Sequence, residues 1–166
     1  MGIFRDDIEK LAIGVLEKCR AKGWKLATAE SCTGGLIGGS LTDIAGSSDV
    51  FDGGFITYSN VAKNRTIGVN KDVLRKFGAV SEEVAREMAT GALAAASVDI
   101  VVAVTGIAGP GGGSPGKPVG RVHLAVATKS GIVEHRKMDY GDPGRSQVRI
   151  ETVKTALEML SAALDG

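Results

Sequence analysis

The chain has 166 residues with a formal net charge of +1 and two cysteines, Cys19 and Cys32, which match no zinc or redox spacing. The balanced charge excludes long-range attraction to nucleic acid or to an anionic membrane surface. Hydrophobic residues make up 43% and charged residues 23%, so the composition is globular, and the length suits one domain, 1–166, that buries roughly two-thirds of its unfolded surface.

Residues 1–10 are acidic and lack the basic stretch and apolar run of a secretory leader, which predicts a reduced, cytoplasmic protein. Phe4, Ile8, Leu11, Ala12, Val15, Leu16 and Cys19 recur at three- and four-residue intervals, so residues 5–21 read as an amphipathic helix that ends at Gly23. Residues 25–29 read as a short strand. The polar turn Glu30-Ser31-Cys32-Thr33-Gly34-Gly35 follows, leading into a helix of small residues that extends to about residue 43. Aromatic and β-branched residues mark a strand over 52–59, with a short helical turn over 60–65.

Ser81, followed by Glu82 and Glu83, caps a helix to about residue 97, the carboxylates favouring its positive end. Its Ala-rich part stops at Asp99, short of the roughly 20 apolar residues a bilayer requires. Residues 100–105 form an uninterrupted apolar run, as expected of a strand covered on both faces. The Gly- and Pro-rich segment 109–118 precedes two strands, 119–128 and 132–140, joined as a hairpin around Ser130-Gly131. Asp142-Pro143 reads as a capping side chain before a proline at the first helical position, and Ile150, Val153, Leu157, Leu160 and Leu164 give the C-terminal helix its apolar stripe. Helices interleave with strands early and a hairpin comes late. The predicted fold class is therefore α/β, a single-domain three-layer sandwich with a mixed sheet.

Several patterns bear on chemistry. Residues 111–117 satisfy G-x-x-x-x-G-K, but Pro118 stands where a Mg²⁺-binding Ser or Thr is needed and a strand follows in place of a helix, which argues against an NTPase. The same glycines continue from Thr105-Gly106-Ile107-Ala108-Gly109-Pro110 at the end of a buried strand, where α/β proteins collect ligands. Cys32, at a helix start, could act as a nucleophile but has no evident partner; a buried structural role suits it better. Ser31 and Thr33 read as helix-cap or anion contacts. His123 and His135 lie within predicted strands, and no metal-ligand spacing is present, so no metal or cofactor is expected. Gly46-Ser47-Ser48 before the second strand, and Tyr58-Ser59-Asn60 with Lys63 after it, supply a serine together with a lysine able to act as base if desolvation keeps it neutral.

Taken together, Ala29-Glu30-Ser31-Cys32-Thr33-Gly34-Gly35, Gly46-Ser47-Ser48, Tyr58-Ser59-Asn60 with Lys63, Gly78-Ala79-Val80-Ser81, residues 104–113 and Lys117-Pro118-Val119-Gly120 resemble the CinA C-terminal family. The resemblance implies an amidase that hydrolyses nicotinamide mononucleotide to nicotinic acid mononucleotide and ammonia in pyridine-nucleotide salvage. It implies the stand-alone form, since the N-terminal molybdopterin-binding-like domain of full-length CinA proteins is not among these residues. Carried across by motif, Ser48 is the expected nucleophile, Lys63 its general base and Tyr58 the third member. Ser31, Thr33, Gly34, Asn60, Thr105, Gly106, Gly109 and Arg145 are expected around the nucleotide. For Arg145 there is a physical reason: a cation in the first turn opposes the helix dipole unless a phosphate offsets it. The partner expected is thus a small molecule, not nucleic acid or membrane, with homo-oligomerisation left open. The rival reading is a non-catalytic nucleotide-binding or regulatory module linked to competence and DNA damage, which would need the glycine loops but not a neutral lysine beside a serine.

Overall fold

The computed structural model describes residues 2–166. Its sheet comprises β1 (Leu26–Glu30), β2 (Phe51–Ile56), β3 (Ile100–Gly106), β4 (Arg121–Thr128) and β5 (Val133–Asp139), in the spatial order β2-β1-β3-β4-β5. β1 runs parallel to both of its neighbours, whereas β3, β4 and β5 are successively antiparallel. Helices α1 (Asp6–Lys22), α2 (Leu36–Thr42) and α6 (Arg145–Leu164) cover one face. The other is covered by α5 (Glu82–Ala96), with α3 (Asn60–Ile67) and α4 (Lys71–Phe77) packed beside it. This is the three-layer α/β sandwich with a mixed sheet that the order of elements predicts.

The central strands explain the layering. In β3, Ile100, Val102 and Val104 point to the α1/α2/α6 side, and Val101 and Ala103 to α5. Neither face meets water, which is why the segment reads as a continuous apolar run. The α5 side is lined by small residues, Ala27, Ala29, Ala103, Ala125 and Ala127, facing Ala85, Ala89 and Ala92 of the helix. Small side chains on both surfaces let α5 lie close on the sheet. Gly91 allows a similarly close approach between α5 and α3, because a Cβ there would stand 1.9 Å from the Ile67 carbonyl oxygen at the end of α3.

Three features depart most from the sequence reading. α4 is an additional helix in a stretch where none is predicted; Asn70 caps it by accepting from the Asp72 and Val73 N–H groups. β2 ends at Ile56, so Thr57, Tyr58 and Ser59 leave the sheet and lead into α3, where Ser59 accepts from the Ala62 N–H as its cap. α6 starts at Arg145 with Gly144 as its N-cap and no capping side chain, so Asp142 and Pro143 lie ahead of the helix and do not open it. The Ser81 cap of α5 is as expected, accepting from the Val84 N–H. Among the described residues no helix is long and apolar enough to cross a membrane.

Candidate active site

Because β1, β2 and β3 are parallel, their carboxyl ends open on the same edge of the sheet, the position at which α/β folds gather ligands. The turn that follows β1 is held by Glu30. Its carboxylate is 1% exposed and accepts four hydrogen bonds, from Thr28 Oγ1 (3.1 Å), Thr33 Oγ1 (2.6 Å), Ile37 N (2.9 Å) and Gly38 N (3.0 Å). The last two are unpaired donors of the first turn of α2, so a carboxylate from the preceding strand does the work of a cap. Gly54 of β2 makes room for this arrangement, since a Cβ there would lie 2.5 Å from Thr28 Oγ1.

Ser31 follows at the mouth of the turn, and its Oγ accepts from Lys63 Nζ at 3.1 Å. Lys63 belongs to α3, is 1% exposed, and also donates to the Thr57 carbonyl at 2.8 Å. Among the described residues it makes no ion pair. Burial without a carboxylate partner disfavours the charged amine and lowers its pKa to about 8. A neutral amine in this position can take the proton of the adjacent hydroxyl.

A cavity of about 290 Å³ opens beside this pair. It is lined by Ser31, Cys32, Tyr58, Asn60, Lys63, Thr105, Gly106, Gly109 and Arg145, with Ala79, Val80 and Ile107 among its apolar neighbours. Thr105 Oγ1 donates to the Ala79 carbonyl at 2.9 Å, tying the loop before α5 to the end of β3. Arg145, the first residue of α6, donates to the Gly109 carbonyl at 2.8 Å and to the Tyr58 hydroxyl at 2.9 Å. Its partners are neutral, so its charge is uncompensated at a helix N-terminus that itself favours anions. One turn later Arg149 reaches the turn after β1, donating from Nε to the Cys32 carbonyl (3.0 Å) and from Nη2 to the Thr33 carbonyl (3.2 Å). The backbone N–H groups of Cys32 and Thr33 donate to no other residue among those described.

The structure therefore gathers Ser31, Lys63, Tyr58, Asn60, Thr105, Gly106, Gly109 and Arg145 at one cavity. Thr33 and Gly34 are not in its lining, and the Thr33 hydroxyl is committed to Glu30. Neither Ser31 nor Thr33 caps α2, whose N-cap is Gly35 with no side-chain bond. Ser48 is not brought to Lys63. It is exposed in the 3₁₀ turn Ser47–Asp49 ahead of β2, whereas Lys63 follows the strand's far end. Six residues of extended chain span about 20 Å, far beyond hydrogen-bond reach. Tyr58 is hydrogen-bonded to Arg145 and not to Lys63.

Sequence reasoning did not assign roles to Glu30 or Arg149. Their partners are mostly backbone groups, which leave no spacing signature. Burial raises the Cys32 thiol to about 12, far from a thiolate at neutral pH. His123 and His135 lie outside the cavity, their rings joined Nδ1 to Nε2 at 2.8 Å, and burial lowers His123 to about 4. Among the described residues no group of three or more His, Cys, Asp or Glu side chains is placed to hold a metal ion.

The CinA C-terminal domain family matches residues 8–164. The chain is 49% identical over 152 residues to the nicotinamide-nucleotide amidohydrolase PncC of Enterobacter agglomerans, covering 91% of this chain and 92% of that protein. It is 48% identical over 159 residues to a putative competence-damage inducible protein of Caldicellulosiruptor bescii, covering 96% of this chain and 38% of that longer one. Among solved structures, the competence/damage inducible protein CihA from Agrobacterium tumefaciens superposes with a TM-score of 0.97 at 54% identity, with 100% of both chains covered. The competence damage-inducible protein A from Klebsiella pneumoniae superposes with a TM-score of 0.91 at 37% identity, over 95% of this chain and 97% of that one.

Proposed function

Since the chain belongs to the CinA C-terminal domain family, we propose that it hydrolyses the carboxamide of nicotinamide mononucleotide, with Ser31 as nucleophile and Lys63 as general base. The observation that carries this reading is the contact between a buried, unpaired lysine and a serine hydroxyl at 3.1 Å on the wall of a cavity. A module that only binds nucleotides has no use for a lysine kept near neutrality, which is costly to bury. The name of the Enterobacter relative supports the substrate. So does the charge of the site, because the Arg145 guanidinium presents positive charge and, among the described residues, is paired with no carboxylate. This suits a phosphate-bearing molecule.

In this mechanism Ser31 Oγ passes its proton to Lys63 Nζ and attacks the carboxamide carbon. The free N–H groups of Cys32 and Thr33, which follow the nucleophile directly, receive the oxyanion. Collapse of the tetrahedral species breaks the C–N bond, and the proton held by Lys63 goes to the leaving nitrogen, which departs as ammonia. Water then attacks the ester, deprotonated by the same amine, to release nicotinic acid mononucleotide and restore Ser31. Tyr58 and Arg145 act on the substrate side, the phenol orienting the guanidinium that grips the phosphate. The reaction would return nicotinamide nucleotides to pyridine-nucleotide synthesis.

The test is ammonia release from nicotinamide mononucleotide by the purified, chelator-treated protein. Ser31→Ala should abolish it, and Ser48→Ala should leave it close to wild type. A dead Ser48 variant beside an active Ser31 variant would reverse the assignment.

A further inference from the structure

We infer that Arg149 is the positioning residue of the oxyanion site, fixing the direction of the Thr33 N–H, one of the two backbone donors that follow Ser31; the inference rests on Ser31 being the nucleophile. The turn from Ser31 to α2 is intrinsically pliable. Gly34 and Gly35 both have positive φ, +57° and +103°, so the backbone just beyond Thr33 turns freely and does not by itself hold the Cys32–Thr33 peptide plane. A reoriented plane would present a carbonyl oxygen, not an N–H group, to the negative charge that develops during attack.

Arg149 removes that freedom. It holds the Cys32 and Thr33 carbonyls from the α6 side at 3.0 and 3.2 Å. In a trans peptide the C=O and the following N–H point in opposite directions, so anchoring the Cys32 oxygen toward α6 turns the Thr33 N–H away from it. The Thr33 side chain is fixed as well, its hydroxyl donating to Glu30 at 2.6 Å. Of the polar groups of Thr33, the carbonyl and the hydroxyl are thus committed, and the N–H is left without a protein partner. That is the arrangement of a preorganised donor, which needs no rearrangement when charge appears.

The guanidinium adds an electronic effect. A cation on a peptide oxygen polarises the whole amide and strengthens the N–H at its other end. Among the described residues Arg149 makes no ion pair that would dilute this. It does not line the cavity, so it acts through the turn and not on the substrate.

The experiment compares the full chain with Arg149→Met and Arg149→Lys, using nicotinamide mononucleotide. Loss of one oxyanion donor lowers kcat by roughly 10²- to 10³-fold, and Arg149→Met should fall in that range. Substrate Kd, measured calorimetrically for Ser31→Ala against Ser31→Ala/Arg149→Met, should differ by less than about threefold, since ground-state binding does not use the oxyanion donors. The pH midpoint of kcat should not move. Arg149→Lys, able to hold one carbonyl, should recover part of the rate and serves as the comparison should the Met variant fold poorly. Near-wild-type kcat in both variants would overturn the inference. So would a Kd that weakens in step with kcat, or a shifted pH midpoint, which would make Arg149 a substrate contact or an electrostatic modulator of Lys63. Undiminished turnover by Ser31→Ala alone would instead remove the nucleophile, and this inference with it.

Discussion

Replacing Lys63 by methionine should remove catalysis and at the same time change how stability depends on pH. A lysine whose folded-state pKa is lowered from 10.5 to about 8 by burial binds its proton less readily folded than unfolded. At about 1.4 kcal/mol for each power of ten, charging this amine costs the folded state roughly 3 kcal/mol near neutral pH. The sign follows from proton counting. Between about pH 8 and 10.5 the unfolded chain holds the proton and the folded chain does not, so wild-type stability rises with pH across that window. The Lys63→Met variant carries no such penalty, although leaving Ser31 Oγ and the Thr57 carbonyl without a partner costs about 1 kcal/mol each. The variant should therefore be more stable than wild type by roughly 1 kcal/mol at pH 7, and this difference should move by about 3 kcal/mol toward wild type as the pH reaches 10.5. Thermal unfolding by circular dichroism of both proteins from about pH 6.5 to 10.5 would show the melting curves converging and then crossing, by several degrees in Tm. Parallel Tm profiles over the whole range would refute the argument that Lys63 is buried at the expense of its charge.

Lys63→Arg should be inactive despite keeping the charge, because guanidinium does not release its proton near neutral pH; wild-type kcat/KM should rise with pH and level off above about 8, as a pH–rate profile would show. Arg145→Ala should raise KM for nicotinamide mononucleotide at least tenfold and change turnover of nicotinamide riboside little; equal losses on both would remove Arg145 from phosphate recognition. Cys32→Ala should keep most of its activity, since its thiol is held near 12, and steady-state assay decides this directly.

How much could be read in advance varied with the kind of interaction involved. β3 is evident in its apolar run because both of its faces are buried, and α6 in its apolar stripe because one face packs on the sheet. α4 is short and rich in charge, with Leu74 its one buried residue, so periodicity gives it little signal; Asn70 and Gly78 at its ends are the available markers. The start of α6 moves past Asp142 because Gly144, at φ +111°, supplies the turn itself. The cavity's lysine, tyrosine and glycines are legible as motifs. Which serine lies beside Lys63 is not legible from the motifs, because resemblance conveys residue type without strand direction. β1 and β2 run parallel, so their carboxyl ends lie together, and the serine that meets Lys63 must follow β1 and cannot precede β2. That signal was present in the position of Ser31. Glu30 and Arg149 were beyond reach, since a buried carboxylate and a guanidinium that serve mainly backbone groups carry no pattern in one sequence.

Ser31 and Lys63, the proposed nucleophile and base, are mounted on parts of the fold with unequal resistance to opening. Ser31 extends from β1, which has strands on both sides and no exposed residue. Lys63 hangs from α3, reached through β2, the edge strand, whose residues alternate between half-buried and exposed. Edge elements with few buried contacts open locally at a lower free energy than the core. Fraying of β2 would carry the lysine away while the serine stayed in place, so heat or denaturant should silence the enzyme before the molecule as a whole unfolds. Amide exchange in β2 would then report the lifetime of the competent state more closely than the global melting temperature does.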